Sequence, residues 1–209
     1  MATDLRIARA EWVRVLSEWT PEWERAQTFP ISYPCTEEEY LAFDANLLLV
    51  YADGFLEILP MPTMFHQLIL KFLCCELDAF VVAGKLGTVV PAPYRVQVRR
   101  GKFREPDVIF IKRQHDSGIG KDFCRKADLV MEIVSERNRH HDLVTKRDEY
   151  ARANIPEYWI VDPQQKQIIV LTLADQTYQV HGTFTEGQQA TSKLLPGLQV
   201  AVTDIFAAP

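Results

Sequence analysis

The six residues from 129 to 134 constrain the fold of this chain more than any other segment. They read Leu-Val-Met-Glu-Ile-Val, so five apolar side chains surround a single charge at Glu132. A short, continuous apolar run is typical of a strand that is buried on both faces in the middle of a sheet. A carboxylate in such a strand is costly to bury unless a metal ion, a cation or protonation compensates its charge.

The segments that follow predict an α/β fold with a mixed sheet. A helix is predicted over about 140–154, and a second buried strand over 157–162. A strand, a helix and a strand in this order are typical of a right-handed crossover between two parallel strands. We therefore expect residues 127–162 to form the centre of one α/β domain.

Two local signals organise the preceding part of the chain. Asp53-Gly54 lies between two apolar runs and predicts a β-hairpin. Thr63 precedes apolar residues that recur at spacings of three and four, which predicts a long helix from this cap to about residue 84.

A second carboxylate is predicted on a neighbouring strand. The strand predicted over 103–111 carries Asp107 among apolar residues. Two carboxylates from neighbouring strands form a hard-oxygen site, which Mg²⁺ prefers while it keeps several water ligands. The backbone carbonyl of Ile133 is a further candidate ligand. The alternative is that Asp107 and Glu132 each form a salt bridge with one of the arginines in this part of the sequence.

The helix predicted after Glu132 presents a lysine toward the same region. Asp142, Lys146 and Tyr150 follow one another at intervals of four residues, so they share one face of the helix. Because the helix follows directly from the Glu132 strand, this face can pack over the end of that strand. A lysine there can orient an attacking water or stabilise charge on a phosphorane. The alternative is an ordinary helix-surface pair between Asp142 and Lys146.

The charge of the chain is unevenly distributed. Residues 95–147 contain 14 lysines and arginines against 8 aspartates and glutamates, although the whole chain has a net charge of −5. A basic segment with buried carboxylates suits a polyanionic substrate and a metal site. The alternative is a solvated surface of mixed charge.

Other features set the expected compartment and cofactors. The sequence has no apolar run of about 18 residues, so we expect no membrane span, and its N-terminus lacks the layout of a secretory signal. The four cysteines include no C-x-x-C pair, which favours reduced thiols. We therefore expect a cytoplasmic protein. No glycine-rich phosphate loop occurs, so we expect no nucleotide cofactor.

The N-terminal segment differs in character from the rest. Residues 1–35 contain Trp12, Trp19 and Trp23 among charged residues, a pattern typical of short amphipathic helices. We interpret this segment as a helical arm used in packing or dimer formation. Residues 36–209 are expected to form a single domain.

Taken in order, the motifs of the chain resemble those of the PD-(D/E)XK phosphodiesterases, the restriction-endonuclease-like superfamily. Within it, they are most similar to a family of uncharacterised restriction endonucleases. The resemblance covers about residues 36–175. The motifs that carry it are, in order, Asp53-Gly54, His66-Gln67, Glu105-Pro106-Asp107-Val108, Glu132-Ile133-Val134-Ser135, Asp142-x-x-x-Lys146-x-x-x-Tyr150 and Pro156-Glu157-Tyr158-Trp159-Ile160-Val161-Asp162. A Pro-Asp pair alone has no value as a signal, whereas this ordered series is specific.

The resemblance implies a restriction-endonuclease-like core, with a mixed β-sheet flanked by helices, and a Mg²⁺-dependent endonuclease that hydrolyses DNA, with Mn²⁺ as a substitute metal. Asp107 and Glu132 are then the metal ligands, and the ion activates a water for in-line attack on the phosphodiester. The superfamily lysine normally lies two residues after the second acid, where this chain has Val134. Lys146 would replace it from the following helix. The resemblance also implies a homodimer.

Four residues are candidates for supporting roles at this site: Asp142, Tyr150, His66 on the long helix and Glu57 in the hairpin. The alternative for His66 is an ordinary helix histidine, and the alternative for Glu57 is a structural role. Two other functions remain open. One is a catalytically silent nucleic-acid-binding protein of the same fold, and the other is a dimeric interaction protein.

Overall fold

The computed structural model describes residues 32–42, 49–58, 61–135, 139 and 141–207. Within these ranges, the backbone alone is described for Ser32, Tyr33, Glu57, Ile58, His141 and Asp142. The helical arm predicted over residues 1–35 lies almost entirely outside the described residues, so it stays a prediction.

The secondary structure alternates short strands with four α-helices in the described part of the chain. The strands are β1 (Ser32–Pro34), β2 (Leu49–Ala52), β3 (Phe55–Ile58), β4 (Gly87–Pro91), β5 (Arg95–Arg99), β6 (Lys102–Arg104), β7 (Val108–Lys112), β8 (Phe123–Cys124), β9 (Leu129–Ile133), β10 (Glu157–Asp162), β11 (Gln167–Ala174), β12 (Thr177–Thr185), β13 (Gln189–Thr191) and β14 (Gln199–Ala201). The α-helices are α1 (Glu37–Leu41), α2 (Met64–Gly84), α3 (Lys146–Arg152) and α4 (Val202–Phe206). A 3-10 helix spans Arg113–Gly118, and a π-helical turn spans His141–Thr145.

The central sheet contains β9 in its interior. Its strand order is β12-β11-β10-β9-β7-β4. β9 pairs in parallel with β10 and antiparallel with β7, so the sheet is mixed. All five residues of β9 are buried. The predicted central strand and the predicted mixed α/β fold are confirmed, and α3 lies in the crossover that joins the parallel strands β9 and β10.

A second sheet has the strand order β1-β3-β2-β6-β5-β8, and β13 and β14 form a separate pair. The predicted hairpin is confirmed, because Ala52 pairs with Phe55 across the Asp53-Gly54 turn. The prediction of one strand over 103–111 is wrong: β6 belongs to the second sheet and β7 to the central sheet. Pro106 lies between them, and its missing amide hydrogen interrupts pairing where the chain changes sheets.

Helices cover both faces of the central sheet. Met131 of β9 belongs to the same buried cluster as Leu73 of α2. Val130 of β9 belongs to a second buried cluster that includes Tyr150 of α3. Side chains alternate along a strand, so Glu132 projects toward α3, as Val130 does.

The long helix α2 begins and ends as the sequence predicts. Its cap is Thr63, whose hydroxyl accepts a hydrogen bond from the His66 amide at 3.2 Å. The helix ends at Gly84, after which Lys85 adopts the left-handed conformation with φ of 51°. The Thr63 cap fixes the first turn of α2 and hence the backbone of His66. None of the described helices is both long enough and apolar enough to cross a bilayer.

The helix predicted over 140–154 is shorter and less regular than expected. The π-helical turn comes first, and α3 begins only at Lys146 and ends at Arg152. Single π-helical turns are frequent at functional sites. Lys146 and Tyr150 lie one turn apart on α3, on the face that the sequence predicts.

Candidate active site

Two acids converge at one end of β7 and β9. The strands pair antiparallel, with Val108 opposite Met131. Asp107 is the residue just before β7, and Glu132 is the residue of β9 that follows Met131. The Ile133 amide donates a hydrogen bond to Asp107 Oδ2 at 2.7 Å, which holds the Asp107 carboxylate against β9. The structure therefore places the Asp107 carboxylate beside the residue that follows Glu132, and the joint role of the two acids stays a prediction.

Lys146 reaches Glu132 from the first turn of α3. Its Nζ lies 2.7 Å from Oε2 of Glu132. The Glu132 side chain is 4% exposed and the Lys146 side chain 17%, so the ion pair lies where the interior meets solvent. Val134, at the usual position of the superfamily lysine, is buried in the apolar cluster on the α3 side. Lys146 thus lies beside Glu132, as it must if a lysine from the following helix is to replace one at position 134.

Tyr150 contacts the other carboxylate oxygen of Glu132. Its hydroxyl donates a hydrogen bond to Oε1, and the residue is fully buried. The ring packs edge-on against Tyr158, with centroids 5.2 Å apart. Burial and the nearby charge of Glu132 raise the pKa of Tyr150 well above its ordinary value. The phenol therefore stays protonated and available as a donor at neutral pH.

His66 approaches Asp107 from the first turn of α2. Its Nε2 lies 3.3 Å from Asp107 Oδ1. The side chains of His66 and Asp107 are 19% and 14% exposed, so each is partly accessible to solvent. Of the supporting residues that the sequence suggests, His66 and Tyr150 are thus each in contact with one of the two acids.

An ion-pair network joins the segment that carries Asp107 to the helix that carries Lys146. Arg104 donates to Glu149 of α3 from Nε at 2.6 Å and from Nη2 at 3.0 Å. Lys102 Nζ lies 2.6 Å from Oε1 of Glu149. Burial opposes ionisation of Glu149, but hydrogen bonds and positive charge from Arg104 and Lys102 outweigh it and lower the pKa of Glu149 to about 2. The ionised Glu149 therefore fixes α3 against β6.

Sequence reasoning missed the Arg104–Glu149 pair. Its members are 45 residues apart and lie on a strand and a helix, so no local spacing relates them. The available signal is position: Arg104 precedes Asp107 by three residues, and Glu149 follows Lys146 by three.

Three predicted participants keep their status as predictions. The side chains of Glu57 and Asp142 lie outside those that the structure describes. Ile133 is in place beside Asp107 through its amide, and the role of its carbonyl as a metal ligand stays a prediction. Among the described contacts, Glu132 pairs with Lys146 and Asp107 contacts His66, and the alternative in which arginines neutralise both acids stays open.

The donors that are present fit a hard divalent cation. Asp107 and Glu132 both offer carboxylate oxygens, and Asp107 contacts the backbone of Ile133, the residue after Glu132. Among the side chains that the structure describes, no group of three or more His, Cys, Asp or Glu residues could hold a metal ion. A donor set of two carboxylates suits Mg²⁺, which keeps several waters, and falls short of the three or four protein ligands typical of zinc.

Comparisons with known proteins agree with this architecture. The family model described as "Uma2: Putative restriction endonuclease" matches residues 37–203. A solved structure from Anabaena variabilis ATCC 29413, whose description reads "a putative nuclease belonging to DUF820", superposes with a TM-score of 0.68. That protein shares 16% sequence identity, and the match covers 83% of this chain and 98% of the other. No curated protein matches the sequence.

The fold is therefore that of the restriction-endonuclease-like proteins. At 16% identity the solved structure shows the shared fold alone. The family match extends over most of the sequence, and the chain belongs to the Uma2 family, whose description is "Putative restriction endonuclease". The resemblance drawn from the ordered motifs is confirmed.

Proposed function

We propose that this protein is a Mg²⁺-dependent endonuclease that hydrolyses phosphodiester bonds in DNA. The observation that carries the proposal is the 2.7 Å contact between Lys146 Nζ and Glu132 Oε2, one residue from Ile133, whose amide holds Asp107. Two acids and a lysine from three separate elements thus lie in one small region. Membership of a family described as restriction endonucleases supports the same reaction class.

In this proposal Asp107 and Glu132 hold the metal ion, with the Ile133 carbonyl as a third donor and Mn²⁺ as a substitute for Mg²⁺. When bound, the ion supplies an activated water and neutralises charge on the scissile phosphate. The chain contributes fixed ligands: the Ile133 amide holds Asp107, and the Tyr150 hydroxyl holds Glu132.

Lys146 contributes positive charge beside the two acids. A non-bridging phosphate oxygen gains negative charge as the nucleophile attacks, and a fixed cation stabilises that charge more than it stabilises the ground state. Lys146 is attached to a helix that the Arg104–Glu149 pair holds in place, so its position is set before substrate arrives.

DNA is the proposed substrate because the acids lie within the basic segment 95–147, which favours a polyanion.

We also propose a homodimer, as the resemblance implies. Sedimentation velocity tests it: a dimer has about twice the 24.0 kDa mass of the chain. A monomer in solution would remove this part of the proposal and leave the site unaffected.

One observation favours a second candidate function, a catalytically silent nucleic-acid-binding protein. Both carboxylate oxygens of Glu132 already accept hydrogen bonds, from Lys146 and Tyr150. A carboxylate with such partners is satisfied without a metal ion. In that case Glu132 would be structural, and the protein would bind DNA without divalent metal and without cutting it.

Calorimetric titration with Mg²⁺, followed by incubation with supercoiled plasmid, separates the two candidates. The variants are Asp107→Asn and Glu132→Gln, each of which removes one charge with little change in shape. The matched control is Asp128→Asn, which makes the same change to a buried acid just before the other end of β9, where the carboxylate bonds to the Lys112 amide and His115.

The nuclease proposal expects Mg²⁺ binding and nicking by the wild type and the control, and loss of both in the two site variants. Metal-independent DNA binding without cleavage by every protein would establish the second candidate instead. Nicking by Asp107→Asn at the wild-type rate would remove Asp107 from the site.

A further inference from the structure

The two carboxylate oxygens of Glu132 have different surroundings. Oε1 accepts a hydrogen bond from Tyr150, which is fully buried. Oε2 accepts from Lys146, whose side chain is 17% exposed. Oε1 is therefore the inner oxygen, and Oε2 is the outer oxygen, on the side from which an ion or a phosphate would arrive.

The hydroxyl of Tyr150 has little freedom to move. The ring is fully buried in the cluster between α3 and the central sheet, and Tyr158 packs edge-on against it with centroids 5.2 Å apart. Rotation about the side-chain bonds would require the neighbouring core to rearrange, because protein interiors are closely packed. The hydroxyl is thus a fixed donor, and the carboxylate that accepts from it is fixed in turn.

We propose that Tyr150 is a positioning residue that sets the metal affinity of the site by holding Glu132 with its outer oxygen toward the open side. This inference rests on the proposed function, since it takes Glu132 to be a metal ligand. Tyr150 itself touches neither metal nor substrate; it acts through Glu132 alone. Hydrogen-bond partners of metal ligands typically change metal affinity by about 10- to 100-fold when they are removed.

A positioning role for Tyr150 affects the metal dissociation constant and the nicking rate at saturating metal differently, whereas a purely structural role would not. Without the Tyr150 hydroxyl, the Glu132 carboxylate can turn away from the open side. Part of the free energy of metal binding is then needed to hold this carboxylate in place. The apparent metal dissociation constant then rises, whereas the chemistry at saturating metal depends on groups that are still present. A residue that only stabilises the fold would lower the amount of active protein without moving the metal dependence.

The test compares Tyr150→Phe with Tyr178→Phe and the wild type. Tyr178 is a matched control, because it is also buried and lies next to Tyr158, with ring centroids 6.0 Å apart, yet its hydroxyl donates to the Ile155 carbonyl at 2.7 Å. Both variants remove one buried hydroxyl from the same aromatic cluster. Calorimetry with Mg²⁺ and with Mn²⁺, in the absence of DNA, gives the dissociation constants directly.

We expect Tyr150→Phe to weaken metal binding at least about ten-fold and Tyr178→Phe to leave it within about two-fold of wild type. In plasmid nicking, Tyr150→Phe should need correspondingly more Mg²⁺ and should approach the wild-type rate at saturation. Equal metal affinity in Tyr150→Phe and wild type would overturn the positioning role and leave the nuclease proposal intact. Absence of metal binding in the wild type would overturn the metal site itself, and the inference with it.

Thermal unfolding of each variant establishes that it is folded before the metal titration. If Tyr150→Phe does not fold, the ultraviolet difference spectrum of the wild type with and without Mg²⁺ tests the inference instead. Metal at Oε2 draws charge from the carboxylate and weakens the hydrogen bond at Oε1, so Mg²⁺ should produce a tyrosine band in the ultraviolet difference spectrum. A metal-bound wild type without that band would overturn the inference.

Discussion

At the scale of the residue, the central question is how the charge of Glu132 is compensated. The sequence leaves three possibilities open: a metal ion, a cation or protonation. The structure provides a cation, since Lys146 lies 2.7 Å from Oε2, and adds a hydroxyl donor at Oε1. A bound Mg²⁺ ion would compensate the same charge. In the proposed site, Lys146 and the metal would therefore be energetically coupled through one carboxylate.

This coupling predicts the behaviour of Lys146→Met. The variant leaves a carboxylate that is 4% exposed without its ammonium partner, and loss of one partner of a buried pair is costly. We expect the free energy of unfolding without metal to fall by about 2–3 kcal/mol. Saturating Mg²⁺ should recover part of this loss, because a ligand of the native state stabilises it. Urea denaturation with and without Mg²⁺ measures both effects.

Lys71→Met is the matched control for this prediction. It removes the same charge from an exposed position on α2, so neither stability nor its Mg²⁺ dependence should change by more than about 0.5 kcal/mol. If Mg²⁺ stabilises Lys146→Met no more than it stabilises Lys71→Met, Lys146 and the metal do not compensate the same charge.

A site residue could be predicted where the neighbouring sequence alone reveals it, and could not where it depends on how distant elements pack. Glu132 was predictable because a lone charge in an apolar run is anomalous whatever surrounds it. Lys146 and Tyr150 were predictable because helical spacing places them on one face. The contact between His66 and Asp107 depends on how α2 docks on the sheet, and the sequence left His66 open for that reason.

At the scale of the element, the Arg104–Glu149 pair connects β6 to α3 close to both halves of the site. Arg104 is 3% exposed and the Glu149 side chain 13%, so the pair is largely shielded from solvent. Glu149→Gln would remove a counter-charge from the buried Arg104 guanidinium. We expect the free energy of unfolding at pH 7 to fall by about 3 kcal/mol. Asp148→Asn, at the exposed neighbouring position, is the control and should change stability little.

The same pair predicts a dependence on pH. The pKa of Glu149 falls from 4.5 to about 2 on folding. A carboxylate with a lowered folded pKa stabilises the protein fully above its unfolded pKa, and this contribution disappears as the pH falls through the folded pKa. The stability difference between wild type and Glu149→Gln should therefore shrink below about pH 4.5 and vanish near pH 2. A difference that stays constant between pH 7 and pH 3 would contradict the assignment.

Some elements could be predicted from the sequence and others could not. The long helix α2 was predictable, because both its Thr63 cap and its apolar periodicity are local signals. The division of residues 103–111 between two sheets was missed, because the apolar pattern continues on both sides of Pro106 and pattern alone does not show which sheet a strand joins. Cross-element pairs such as Arg104–Glu149 are set by tertiary docking and leave no local pattern.

At the scale of the whole molecule, α2 and α3 cover opposite faces of the central sheet, and the site lies where the two helices and the strand ends meet. His66 comes from the first turn of α2, whereas the same helix is anchored further along by Leu73, Leu77 and Val81. We therefore expect stability and metal binding to depend on different parts of one helix.

Leu77→Ala tests this separation. Leu77 is fully buried and lies roughly 16 Å from His66 along the helix axis, at 1.5 Å per residue. Removal of its side chain should lower the free energy of unfolding by about 2–5 kcal/mol through the cavity left behind. Metal affinity, measured by calorimetry below the unfolding temperature, should stay within about two-fold of wild type. A large loss of metal affinity would show that α2 docking and site geometry are not separable.

The most direct test of the central claim is a time course of supercoiled-plasmid nicking by wild type and Glu132→Gln in Mg²⁺. The account predicts nicking by the wild type that stops when a chelator is added, and a rate at least about a hundred-fold lower in Glu132→Gln. Equal rates for the two proteins, or nicking by the wild type that continues in chelator, would contradict it.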